Sequence, residues 1–101
     1  MILYNVTVNI NNEVEQEWLS WMKKVHIPDV MATGKFIDNK LYKLLHETED
    51  NSTNYSVQYF AKSMNEVLDY QMNHSPKLQQ DVQDKFKDKF VVFRSVMELI
   101  P

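Results

Sequence analysis

The opening run Ile2 to Ile10, ILYNVTVNI, constrains the fold more than any other part of the chain. Ile2, Tyr4, Val6, Val8 and Ile10 are apolar, and Asn5, Thr7 and Asn9 alternate with them. Residues two apart share one face of a strand, so this is a strand with one face in a core and a polar opposite face. The rest of the chain has to supply partners for its edges and a cover for its apolar side.

Asn11 and Asn12 end the strand. Asn12 with Glu15 three residues on reads as an N-cap and its acidic partner. Val14, Trp18, Trp21, Met22 and Val25 then recur with helical spacing. Glu13, Glu15 and Glu17 stand in the first turns and Lys23 and Lys24 in the last, as the helix dipole favours. In the next stretch, His26 to Gly34, Pro28 suits the start of a short helical turn and Gly34 the left-handed residue after it. Gly34 is the single glycine of the chain, so a positive φ or a close backbone approach is expected there.

Residues 35–47 read as a less regular strand with a bulge near Asp38-Asn39. Glu47 to Asn54 reads as a hairpin loop and Tyr55 to Ala61 as the next strand. Ser63-Met64-Asn65-Glu66 has the form of a capping box ahead of a helix carrying Met64, Val67, Leu68 and Met72. Ser75-Pro76 restarts a helix with Leu78, Val82 and Phe86 four apart. Phe90 to Ile100 closes the chain as a long strand, with Val91, Phe93, Met97 and Leu99 expected against the helices.

The order β-α-β-β-α(α)-β predicts an α+β, ferredoxin-like domain over residues 1–101. Right-handed crossovers put the helices on one face of an antiparallel sheet of strand order 4-1-3-2.

Composition narrows the function classes. At 101 residues, 44% hydrophobic and 25% charged, the chain suits one ordinary core. The absence of cysteine excludes disulfides, thiolate metal sites and a cysteine nucleophile. No basic, apolar leader opens the sequence and no apolar run nears the ~20 residues that span a bilayer, so a cytoplasmic protein without a membrane partner is expected. Net charge is −3, and Lys85, Lys87 and Lys89 are interleaved with Asp84 and Asp88. Nucleic-acid binding rests on phosphate neutralisation, so no nucleic-acid partner is expected either.

The strings ILYNVTVNI, WLSWMKKVHIPDVMATGKF, YSVQYF and KFVVFRSVMEL together resemble a small uncharacterised bacterial family, a domain of unknown function. The resemblance covers nearly the whole chain and implies no chemistry. Topology and length are also similar to the dimeric α/β-barrel proteins, in which two ferredoxin-like sheets pair through their helix-free faces. Members include cofactor-free monooxygenases, isomerases and haem-handling enzymes. That likeness implies a fold and a homodimer, not a reaction.

Two groups of polar residues invite a functional reading. Arg94 is the only arginine among 11 basic residues. On the helix-free face expected for it, Asn5, Thr7 and Gln58 would stand nearby, a setting for a bidentate carboxylate or phosphate. The alternative is an interface ion pair with Glu98. His26 and Asp29, three apart around Pro28, would form an acid–base pair if the turn is helical, with Thr33 and Gly34 adding donors. Otherwise both are caps. His46 and His74 lack ligand-spaced partners, so neither a metal nor a cofactor is expected. Trp18, Trp21, Tyr42, Tyr55 and Tyr59 read as packing. Three classes follow: a dimer that binds a small, anionic molecule, with or without a cofactor-free reaction; a non-catalytic interaction dimer; and an RNA-recognition-like sheet with Phe60 and Phe90 stacking on bases, against which stand the charge and the missing aromatic-and-glycine ribonucleoprotein motif.

Overall fold

The computed structural model describes residues 1–45 and 51–101. Strand β1 (Ile2–Asn11) leads through a 3-10 turn (Asn12–Val14) into α1 (Glu15–Trp21), a π-helical turn (Met22–His26) and α2 (Ile27–Ala32). Then come β2 (Asp38–Lys43), β3 (Ser52–Ala61), α3 (Met64–Asn73), α4 (Ser75–Phe86) and β4 (Phe90–Glu98). The sheet order β2-β3-β1-β4 is the expected one, and every pairing is antiparallel.

Alternation in β1 and β3 builds the core. Ile2, Tyr4, Val8 and Ile10 from β1 and Tyr55, Val57, Tyr59 and Ala61 from β3 are buried on one side of the sheet. Trp18, Met22, Ile27, Val30, Val67, Tyr70, Leu78 and Phe86 cover them from the helices. Phe36, just ahead of β2, stacks on Tyr4 with ring centroids 5.9 Å apart and meets Tyr70 edge-on.

The first helix departs from the expected spacing. A uniform α-helix would bury Val25, but Val25 is 41% exposed and Ile27 is buried in its place. The backbone stays helical through His26 and Ile27, and the Ile27 amide donates to Met22 O, five residues back. Pro28 is the physical reason. It has no N–H for the carbonyl four residues earlier, and its ring crowds that oxygen. Widening the preceding turn by one residue relieves the clash, and a five-residue step from Met22 to Ile27 keeps the apolar stripe on the core.

Several ends also move. Asn11, not Asn12, caps the first helical run, its Oδ1 accepting from the Glu13 amide at 2.8 Å. Asn12 accepts from Thr53 instead. Ser63 occupies the N-cap position of α3 without a capping hydrogen bond, and Glu66 pairs with Lys35 at 3.7 Å. β2 pairs with β3 in unbroken register from Asp38, so the expected bulge is absent there. Asn54 lies within β3 rather than in a loop. Residues 47–50 of the expected hairpin loop, and His46, lie outside the described residues.

The main correction concerns β4. Its pairing with β1 sets Ile10 opposite Phe90, Val8 opposite Val92, Val6 opposite Arg94 and Tyr4 opposite Val96. Opposed residues share a face, so the even positions of β4, Arg94 included, point toward the helices. Val91 and Phe93 lie on the open face, 69% and 68% exposed. Both sets of β4 are apolar, so its own alternation leaves the face undecided. The entry to the strand decides it. Asp88 adopts φ 65°, the Lys89 amide donates to Phe86 O, and Lys89 O accepts from the Asn11 amide.

Candidate functional site

Between the sheet and the helices is a cavity of about 140 Å³. Its floor is Tyr4, Val6, Val8, Val57, Tyr59, Phe90, Val92 and Arg94; Trp18, Met22, His26, Tyr70, Leu78 and Val82 form the helical wall. Ser75, Gln79 and Gln83 add polar groups from α4. The space exists because position 6 of the β1 stripe carries the short Val6 and its β4 neighbour is Arg94, so no large apolar group fills the middle of the sheet.

Two polar atoms of its lining residues are buried without a hydrogen-bond partner among the described residues, His26 Nδ1 and the Tyr59 hydroxyl. Such an orphan costs roughly 1–3 kcal/mol and calls for an explanation. Tyr55, four residues earlier on the same face, provides the contrast: its hydroxyl donates to Glu15 Oε2 at 2.6 Å. Ser75 is also satisfied, accepting from Gln79 Nε2 at 2.6 Å and hydrogen-bonded to the Tyr70 side chain.

The π turn positions His26. It stacks on Trp21 with ring centroids 5.1 Å apart and planes 25° apart. Burial lowers the imidazole pKa below its usual 6.5; Asp29 and Asp81 oppose that shift and Arg94 adds to it. The ring is therefore neutral at physiological pH. Burial raises the hydroxyls of Tyr59 and Tyr70 above the ordinary tyrosine range, so both stay protonated donors. Arg94 makes no ion pair or hydrogen bond with any described residue, Glu98 included. Among the described residues, the cavity lining thus carries one permanent positive charge and no carboxylate.

The structure brings together only His26 and Arg94 of the residues singled out in the sequence. Asn5, Thr7 and Gln58 lie on the opposite, helix-free face, so the expected cluster with Arg94 does not form. There they satisfy one another: Asn5 Nδ2 donates to Thr7 Oγ1 at 3.0 Å, Ser56 Oγ donates to Asn5 Oδ1 at 2.6 Å, and Gln58 Nε2 donates to Ser56 Oγ at 3.2 Å. Asp29 is exposed in the first turn of α2 and makes no hydrogen bond to His26, so the expected acid–base pair is not formed. Thr33 and Gly34 end α2 instead of facing the cavity. Thr33 Oγ1 donates to Val30 O at 2.7 Å, and Gly34 has the expected positive φ, 75°.

From sequence Tyr59 reads as packing, and Tyr70, Gln79 and Gln83 are not singled out. A signal was available: a tyrosine at a core position of a strand brings a hydroxyl inside that must find a partner. Periodicity registers the ring and is blind to the oxygen. Among the described residues, no three acidic or histidine side chains converge as metal ligands do, and no helix is long and apolar enough to cross a membrane.

Known structures share the fold at low identity. A dimeric ferredoxin-like protein from an uncultured marine organism is similar at 12% identity and a TM-score of 0.74, over 100% of this chain and 96% of that one. An ethyl tert-butyl ether D (EthD) family protein from Bacillus halodurans is similar at 11% identity and 0.67, over 99% and 100%. A second dimeric ferredoxin-like protein from an uncultured marine organism matches at 9% and 0.52, over 99% and 96%. A search of curated proteins finds no match. The family relationship comes from sequence: a family model matches residues 1–100, and the chain belongs to the family described as Domain of unknown function (DUF4286).

Proposed function

We propose that this protein is a homodimer that binds a small organic anion in the cavity of each subunit. One observation carries the reading: Arg94, without an ionic partner among the described residues, stands at an apolar cavity to which those residues contribute no carboxylate. In a chain of net charge −3, an uncompensated guanidinium in such a place suits a carboxylate or phosphate that arrives from outside.

Self-association is supported separately. Val91, Phe93 and Met97 form an exposed apolar stripe on the open face, beside the internally satisfied amides of Asn5 and Asn9. Such a surface suits burial against its own copy, and two of the fold neighbours are described as dimeric. Pairing of the two open faces into an α/β barrel is part of this proposal.

The test is a thermal-shift series with small organic acids and their neutral amides. Acids should raise the melting temperature, as a ligand of the folded state must, and Arg94→Met should abolish the rise while leaving the unliganded protein's stability within about 0.5 kcal/mol. No shift from any acid at millimolar concentration would reject the reading.

A further inference from the structure

Resting on that reading, we infer that the guest is a monocarboxylate with a single aromatic ring, the benzoate class, its ring in the cavity and its carboxylate against Arg94.

The lining sorts by exposure. Among the described residues that form it, Arg94, Gln79 and Gln83 are exposed, and every other one is buried or half-buried. The part that meets water is therefore polar and carries the cation, while Val8, Trp18, Met22, Val57 and Leu78 make the inner part apolar. The guanidinium charge is also felt inside. Burial dominates at both His26 and Tyr70, but Arg94 helps to hold the imidazole pKa down and opposes the rise of the hydroxyl. A guest that suits both parts has an apolar body that leaves water and a charged head that keeps it.

Size and shape define the body. The cavity is about 140 Å³, and an apolar protein cavity of about 150 Å³ takes one benzene. One ring fits and two fused rings do not. Tyr4, Trp18, Tyr59, Tyr70 and Phe90 line the space, and aromatic rings favour offset or edge contacts with another ring. A flexible aliphatic acid of equal volume would gain less from such walls and would lose more rotamer freedom on entry.

Charge defines the head. Arg94 brings the one permanent charge of the described lining and has no ionic partner among the described residues. One carboxylate matches one guanidinium and can take its fork in two parallel hydrogen bonds. A phosphate monoester brings about −1.5 to −2 near neutral pH. Its surplus charge would meet no second cation in the described lining, in a chain whose net charge is already −3.

Isothermal titration calorimetry on the protein tests this with five probes: benzoate, benzamide, hexanoate, 2-naphthoate and phenyl phosphate. Benzoate should bind measurably, and each of the other four should bind more weakly by about tenfold or more. Arg94→Met should bring benzoate down to the level of benzamide. The comparison of probes on the unaltered protein stands even if the variant fails to fold. Hexanoate or phenyl phosphate binding as tightly as benzoate would overturn the assigned class and leave the anion site of the underlying reading in place. Equal binding of 2-naphthoate would overturn the one-ring limit in the same way. Benzamide as tight as benzoate, or silence from every anion, would overturn both this inference and the reading beneath it.

Discussion

The Trp21 indole lies against the His26 imidazole, 5.1 Å between centroids and 25° between planes, although the two residues are five apart on one helix. Five residues span too much rotation for such a contact on a regular α-helix, where neighbours on one face are three or four apart. The π turn over Met22–His26 removes the excess and places the imidazole at the cavity.

That turn can be tested by shortening it. Deleting the exposed Val25 changes the step between Met22 and Ile27 from five to four, which a regular α-helix also puts on one face. The ring of Pro28 then falls inside uninterrupted helix, at a cost of about 3 kcal/mol. Adding Pro28→Ala to the deletion should recover most of that loss in urea unfolding. Equal instability of the single and double variants would mean that the proline is not what widens the turn.

The neutral, half-buried His26 makes stability depend on pH. Its pKa is depressed in the folded protein, chiefly by burial. Below about 6.5 the unfolded chain therefore binds a proton that the folded one refuses, and stability falls with falling pH. The slope reaches at most about 1.4 kcal/mol per pH unit and vanishes again below the folded-state value. His26→Asn should remove this component between pH 7.5 and 5, measured as the difference between two denaturation series. Unchanged slopes would show that the imidazole titrates alike in both states.

Two tyrosines on one face of β3 should respond oppositely to loss of their hydroxyls. Tyr59→Phe deletes a buried oxygen without a partner and should stabilise the unliganded protein by about 1 kcal/mol. Tyr55→Phe breaks the donation to Glu15 and should destabilise it by about 1 kcal/mol. Chemical denaturation of the pair checks the contrast, and a loss in both would point to an unseen partner at Tyr59.

Phe93 offers a test of association that leaves the core untouched, because its ring is on the open face. Phe93→Glu puts a charge into the apolar stripe and should convert a particle of twice the 12.1 kDa chain mass into a folded monomer by light scattering. An unaltered mass for the variant would remove that stripe from the interface, and a monomeric parent protein would remove the interface itself.

The sequence alone determined the element order, the sheet order and the buried faces of β1 and β3. Those were legible because a local alternation of apolar and polar residues admits one buried face, and Val57 and Tyr59 had no polar competitor on their side. Gly34 was legible for the same local reason, since a lone glycine next to a helix end suits φ 75°. Tertiary structure alone decided the site. Apolar residues occupy both faces of β4, so its side toward the helices was set by the turn at Asp88 and the register with β1, neither of which local pattern encodes. That choice moved Arg94 from the open face to the cavity. Pro28 announced a helix boundary, but only packing could show that the chain would keep the helix and widen it, because a buried stripe from Trp18 to Val30 is worth more than regular hydrogen-bond spacing.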